Sequence, residues 1–179
     1  MHVVLVEWRQ LYYYPMSLSL FSKGRVLMAD DLVYRCGACT ACCKTHEVFE
    51  IEKPAGAWCP HCDVGVGCRV YETRPAGCRE FQCEWIKSGF GERPDHTHAV
   101  LDFITEGAFD QLLMIFEAEE GALCGVYVGA VREQCLCANI PVCYVYLHGV
   151  RELFLPNQFV LTDELREQVT QEGIRVCEI

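Results

Sequence analysis

The chain has 179 residues, of which 51% are hydrophobic and 11% aromatic, so it is long enough to bury a core as one domain or one domain with a small appendage. This size argues against the small secreted domains that depend on disulfides for stability. The net charge of −10 lies entirely in residues 84–179, where sixteen acidic residues stand against six basic ones, and this balance argues against a surface that follows nucleic-acid phosphates.

Residues 1–32 are predicted to form a loosely ordered N-terminal extension. They contain no basic region followed by a clean apolar run, because Glu7, Arg9 and Pro15 interrupt the apolar residues. No stretch of the chain reaches the roughly 18 uninterrupted apolar residues that a membrane span needs. We therefore expect a protein of the reducing cytoplasm that binds no membrane, where a dense group of thiols indicates metal more often than disulfides.

Residues 33–91 are predicted to be a cysteine-cluster metal-binding region. The candidate metal ligands are the nine cysteines of this region: Cys36, Cys39, Cys42, Cys43, Cys59, Cys62, Cys68, Cys78 and Cys83. The segment CGACTACC has the spacing C-x2-C-x2-C-C, which lets thiolates converge whether the segment is a helix or a loop. Adjacent Cys42 and Cys43 would not comfortably bind one ion, so one of them is expected to serve a second centre or to pack.

Two kinds of metal centre suit these spacings. Paired C-x2-C units, such as Cys59 with Cys62, are typical of zinc sites. Cys36, Cys39 and Cys42, followed by the Cys59-Pro60 pair, approximate a ferredoxin-type iron–sulfur motif with a different final gap. Thiolates suit both metals, and we favour an iron–sulfur cluster over zinc. The alternatives without metal are buried free thiols and a redox-active C-x2-C pair.

Several other side chains near the cysteines have predicted roles. Arg74 and Arg79 are expected either to offset the charge of the thiolates or to pair with surface glutamates. His46 and His61 flank cysteines and are weaker candidate ligands, because enough thiols are present without them. Three aromatic residues are predicted to pack over the site and keep water away: Tyr71, Phe81 and Trp85.

The combined motifs resemble those of the CxxCxxCC cysteine-cluster family, which is described as zinc- or iron-chelating. The resemblance covers about residues 34–104 and is carried by CGACTACC, AGAWCPHC, GCRVYETRPAGCREFQCEW and the RPD before the next apolar run. It implies that eight cysteines occupy the family's positions: Cys36, Cys39, Cys42, Cys43, Cys59, Cys68, Cys78 and Cys83. It implies that Cys62 is an addition shared by only some members.

Residues 92–179 are predicted to be a small β-rich region with a short C-terminal helix. Five runs favour strands, namely HAVLDFIT, QLLMIFEA, CGVYVGAV, CYVYLHGV and RELFLPN, although the AVREQCLCA that overlaps the third also suits a helix. Turns are predicted at EGAFD and at His148-Gly149. TDELREQVTQEG predicts a helix with Thr162 as N-cap and Gly173 just past its end. The remaining cysteines are predicted to pack in the core: Cys124, Cys135, Cys137, Cys143 and Cys177.

These elements predict an α+β fold, with a metal-organised, cysteine-rich N-terminal half packed on a small and mostly antiparallel β half. The expected function is that of a metal-binding protein with a thiolate-ligated iron–sulfur or zinc centre. One alternative is a redox carrier or small enzyme that uses the centre, and another is a zinc-stabilised adaptor whose acidic half binds a protein partner. The sequence contains no nucleophile elbow, zincin motif, phosphate-binding glycine loop or dinucleotide fingerprint, so it predicts no particular reaction.

Overall fold

Residues 34–106 and 109–177 are described by a computed structural model, and the predicted extension at residues 1–32 lies outside them. The cysteine-rich part consists of short elements separated by turns. Its helices are α1 (Cys42–Thr45), α2 (Ala76–Glu80), α3 (Glu84–Ser88) and α4 (Pro94–Thr97), and its strands are β1 (Cys62–Asp63) and β2 (Gly67–Cys68). Single 3-10 turns occur at Phe49–Ile51 and Tyr71–Thr73. Proline and glycine keep these elements short: Pro75 precedes α2, and Gly89 ends α3 at a φ of 71°.

The second half contains a five-stranded sheet in the spatial order β3-β4-β5-β6-β7. The strands are β3 (Ala99–Glu106), β4 (Phe109–Glu117), β5 (Val142–Val145), β6 (Arg151–Phe154) and β7 (Ile174–Cys177). Two longer helices, α5 (Val126–Cys137) and α6 (Asp163–Gln171), connect them, with a 3-10 turn at Ala122–Cys124 before α5. Helices and a sheet in one chain confirm the α+β fold class.

The sheet is mixed, so the prediction of a mostly antiparallel half was wrong. β3 pairs antiparallel with β4 and β5 with β6, whereas β4 pairs parallel with β5 and β6 with β7. The physical reason is the two helical connections, because a helix between strands returns the chain to the same end of the sheet. CGVYVGAV therefore contributes to α5 and is not a strand, and β7 was not predicted at all.

The turns and the C-terminal helix agree with the sequence. Tyr146 and Val150 enclose the turn at His148-Gly149, where Gly149 has a φ of 86° and its N–H donates to the carbonyl of Tyr146. β3 and β4 pair across the predicted turn at EGAFD, although residues 107–108 themselves lie outside the described part. Thr162 is the N-cap of α6, and its side chain accepts a hydrogen bond from the N–H of Leu165.

Apolar side chains alternate between the two faces of the sheet, and each face has its own core. Leu113 and Val142 belong to the cluster that includes Val128 of α5, whereas Cys143 and Leu153 belong to the cluster that includes Leu165 of α6. A third, smaller cluster joins the cysteine-rich half to the sheet: Ala41, Val100 and Ala118, with Cys39, Phe81, Cys83 and Phe116 packed against them. The cysteines thus lie beside β3 and β4. No helix in the described part of the chain is long and apolar enough to cross a membrane.

Candidate metal centre

All nine candidate ligands are free thiols of intermediate exposure. Cys36 and Cys39 lie in the turn that precedes α1, where the N–H of Cys39 donates to the carbonyl of Cys36 over 2.9 Å. Cys42 and Cys43 begin α1, and Cys78 lies within α2. Cys83 is the N-cap residue of α3. Thiols that are partly buried and unbridged are available to react or to bind a metal.

Backbone N–H groups of the β1–β2 hairpin, and of Cys59 before it, donate hydrogen bonds to α1 and to the turn that precedes α1. The N–H of Cys59 donates to the carbonyl of Cys43 over 3.0 Å, and the N–H of Gly65 donates to Thr40 Oγ1 over 3.1 Å. Within the hairpin, Cys62 pairs with Cys68 across the two strands. Cys43 and Cys59, which are 16 residues apart in sequence, are therefore neighbours in the fold.

One group of thiols faces the sheet. Cys36, Cys39, Cys42 and Cys83 line a small cavity together with Trp85, Ile86, Arg93, Pro94 and Val100. Burial is the main cause that raises the pKa of Cys36, Cys39 and Cys83. Electrostatic repulsion from Cys39 also raises the pKa of Cys36, and repulsion from Cys36 raises that of Cys83. These thiols are close enough to feel one another's charge.

A second group lies around the hairpin and α2. A hydrogen bond with Cys42, followed by burial, raises the pKa of the Cys43 thiol well above its usual range. Burial and then repulsion from Cys43 raise the pKa of Cys62 to about 12. Burial raises the pKa of Cys78, and repulsion from Cys43, Cys59 and Cys68 adds to this effect. The two groups meet at Cys36 and Cys43, which also interact electrostatically.

The raised pKa values have a chemical consequence. Several thiolates cannot share a partly buried neighbourhood unless a positive charge offsets their repulsion, and a bound metal ion supplies that charge. The donor set therefore fits a thiophilic metal. As the side chains are arranged, however, no group of three or more His, Cys, Asp or Glu residues in the described ranges is positioned to hold an ion. Coordination would require the thiols to turn toward a common point.

The two arginines have different surroundings. The guanidinium of Arg74 lies where its charge lowers the pKa of Cys36, and it donates to the carbonyls of Tyr71 and Cys78. Arg79 instead acts on Glu50, whose pKa its charge helps to lower. Arg74 thus lies where its charge offsets that of a thiolate, and Arg79 lies near a glutamate. These are the two roles that the sequence left open for the arginines.

Two of the three predicted aromatic residues cover the site. Phe81 packs against the cluster that includes Cys39 and Cys83, and Trp85 lines the cavity of the first group. Tyr71 is 47% exposed and lies under the guanidinium of Arg74, with 4.0 Å from ring centroid to guanidinium carbon. It does not exclude water from the thiols.

The histidines do not lie among the thiols as clear ligands. The ring of His46 packs between Phe81 and Phe116, with centroids 3.7 Å and 4.4 Å away, and its Nδ1 lies 2.7 Å from Thr45 Oγ1. Burial, followed by the charge of Lys53, lowers the pKa of His46 to about 4. His61 is a half-buried residue directly before β1, and its carbonyl accepts from the N–H of Arg69.

Lys53 is the residue that the sequence reading missed. It is only 3% exposed, and its Nζ donates to the carbonyls of Lys44, over 2.9 Å, and of His46. Burial lowers its pKa, and the neighbouring Cys59, Cys43, Cys42 and Cys78 act in the opposite direction. A single lysine in EIEKPAG has no pattern that would predict burial, so only the tertiary structure reveals it.

The later cysteines are divided between core and surface. Cys135 and Cys143 are 4% and 2% exposed, as predicted, but Cys124 and Cys137 are exposed and contradict the prediction of core packing. Cys137 follows Cys135 by two residues on α5, so it points to a different side of that helix. Cys177 is half-buried on β7.

A larger cavity, of about 320 Å³, lies between α1 and the β5–β6 turn. Its carboxylate, Glu117, already accepts hydrogen bonds from the N–H groups of Gly121 and Leu147. Among the described residues that line the cavity, Glu117 is the one carboxylate, and each of its oxygens accepts one of these bonds. Comparisons with family models, curated proteins and solved structures give no significant match to this chain.

Proposed function

We propose that the protein binds a metal centre through thiolates of residues 36–83, and that this centre is an iron–sulfur cluster in preference to zinc. The observation that carries the proposal is the collection of nine free, half-buried thiols into two adjoining groups that interact electrostatically. Buried thiols that merely packed would have no need to face one another. The resemblance to the CxxCxxCC cysteine-cluster family supports the same conclusion.

The two groups suggest how the ligands are divided. Cys36, Cys39, Cys42 and Cys83 line one cavity, and Cys43 faces the group of the hairpin and α2. Adjacent Cys42 and Cys43 would then bind to different centres, which avoids the strain of holding one ion with neighbouring residues. A bound iron–sulfur cluster would supply electron transfer, whereas zinc would crosslink the short elements. We also propose a reducing compartment such as the cytoplasm, where unbridged thiols persist.

The test is to purify the protein without oxygen and to measure iron, acid-labile sulfide, zinc and the visible spectrum. We expect iron and sulfide in comparable amounts and a brown protein. Cys39→Ser and Cys62→Ser should each lower the bound metal, whereas Cys137→Ser, which alters an exposed thiol outside both groups, should leave it unchanged.

Two results would overturn parts of the proposal. A colourless protein with stoichiometric zinc and no iron would reject the iron–sulfur centre but keep the thiolate site. A reduced, folded protein that takes up neither metal would reject the site itself.

A further inference from the structure

Lys53 lies at the C-terminal end of α1, the helix that begins with Cys42 and Cys43. Its Nζ binds the carbonyls of Lys44 and His46, which belong to the last residues of that helix. The carbonyls at a helix C-terminus lack partners within the helix and carry partial negative charge, so a buried ammonium stabilises them. Lys53 therefore holds the C-terminal end of α1, whereas Cys42 and Cys43 lie at its N-terminal end.

The ammonium of Lys53 forms no ion pair with a carboxylate of the described residues. Lysine is almost never buried without a charged partner, yet Lys53 is 3% exposed. Among the ion pairs of the described residues, none joins Lys53 to Asp or Glu. Its anionic neighbours are instead the thiols, when ionised, of Cys59, Cys43, Cys42 and Cys78. These four come from three separate segments and include Cys42 of the first group with three thiols of the second, so Lys53 lies where the two groups adjoin.

We propose that Lys53 is the positioning residue of the thiol site, a fixed cation that offsets the excess negative charge of a centre held by more thiolates than the metal can neutralise. For metal binding this inference rests on the proposed function, but the positive potential at the thiols does not depend on any metal. The two carbonyls that Nζ binds are neutral groups and leave the net charge of the ammonium without a counter-ion, whereas an anionic metal–thiolate centre would supply one.

Lys44 provides a matched control. It is a neighbouring lysine whose Nζ also donates to a backbone carbonyl, that of Ala118 over 2.9 Å. Its other contact is the ring of Trp58, with Nζ 5.5 Å from the centroid. Lys44→Met and Lys53→Met therefore remove the same charge and the same kind of hydrogen bond, but only Lys53 binds the carbonyls at the end of α1.

The metal-free test compares two alkylating reagents on the reduced full-length protein. The rate ratio of anionic iodoacetate to neutral iodoacetamide reports the local potential, because the thiolate fraction affects both rates equally. At Cys59 and Cys78 we expect Lys53→Met to lower this ratio severalfold, Lys53→Arg to preserve it, and Lys44→Met to change it by less than twofold. In the unsubstituted protein the ratio at Cys59 should exceed that at the exposed Cys124 and Cys137, which tests the proposal even if Lys53→Met fails to fold.

The second measurement is metal affinity by chelator competition. Removal of one unit charge from this partly buried site should weaken binding about tenfold in Lys53→Met and far less in Lys44→Met. An unchanged iodoacetate to iodoacetamide ratio in Lys53→Met, or a ratio at Cys59 no higher than at Cys137, would overturn the role of Lys53. A lowered ratio in a protein that binds no metal would keep that role and reject the proposed function.

Discussion

At the scale of the residue, burial separates thiols of the same chain into reactive and protected ones. Cys135 and Cys143 lie on opposite sides of the sheet, in the clusters covered by α5 and α6, and burial raises the pKa of each to about 11. Because the thiolate is the nucleophile, such thiols react slowly for two reasons. Reagents do not reach them, and few of them are ionised. Cys124 and Cys137 are exposed, so reagents reach them directly.

We therefore predict that native protein at pH 8 incorporates iodoacetamide at Cys124 and Cys137 at least tenfold faster than at Cys135 and Cys143. The two buried thiols should stay slow until the pH approaches 11, since their protonated form is favoured in the folded state below that value. Site-resolved mass spectrometry measures the rates, and alkylation in concentrated guanidinium is the control in which all four should react alike. Equal native rates would show that these cores open readily.

At the scale of the element, the sequence predicted what depends on local pattern. Apolar runs at 98–105 and 111–118 became β3 and β4, and Thr162 and Gly173 bounded α6 as expected. The strand-favouring valines of CGVYVGAV instead lie in α5, where Val128 and Val131 are buried against the sheet. Tertiary packing outweighed intrinsic preference there, because the sheet face beneath α5 needs an apolar cover. β7 has only four residues and depends on its pairing with β6, which no local signal shows.

The cap of α6 gives a direct test of an element that both sequence and structure identify. Thr162→Ala removes the oxygen that accepts from the N–H of Leu165 and should lower the free energy of unfolding by about 1 kcal/mol. Thr170→Ala is the control, because that hydroxyl is exposed within α6 and donates to the carbonyl of Arg166 in the same helix, so its loss should cost less than about 0.5 kcal/mol. Chemical denaturation measures both. Equal losses would mean that α6 is not held by its cap.

At the scale of the whole molecule, the cysteine spacing predicted which residues gather but not how they divide. The C-x2-C-x2-C-C motif indicated convergence, yet the separation into a group facing β3 and a group around the hairpin depends on which elements pack together. Cys83 joins Cys36 because α3 begins beside the N-terminal turn, and Cys78 joins Cys59 because α2 lies by the hairpin. Lys53 entered the site through a turn that no spacing rule describes. The candidate thiols were therefore more predictable than the buried lysine beside them.

The two halves have unequal cores, and this difference predicts how the protein would respond to loss of the proposed metal. The sheet has extensive apolar clusters on both faces, whereas the cysteine-rich half joins it through the small cluster around Ala41, Val100 and Ala118. If thiolate coordination supplies folding free energy, its removal should loosen the half with the smaller core.

We predict that chelator under reducing conditions raises amide hydrogen exchange about tenfold or more across residues 36–83 and leaves β4 and β5 protected. Hydrogen exchange followed by mass spectrometry of the full chain measures this, with the same chelator added to protein already stripped of metal as the control that should show no change. Uniform loss of protection over both halves would mean that the sheet also depends on the centre. Unaltered exchange at residues 36–83 after metal removal would mean that hydrogen bonds such as Cys59 N–H to the Cys43 carbonyl already suffice to hold that half.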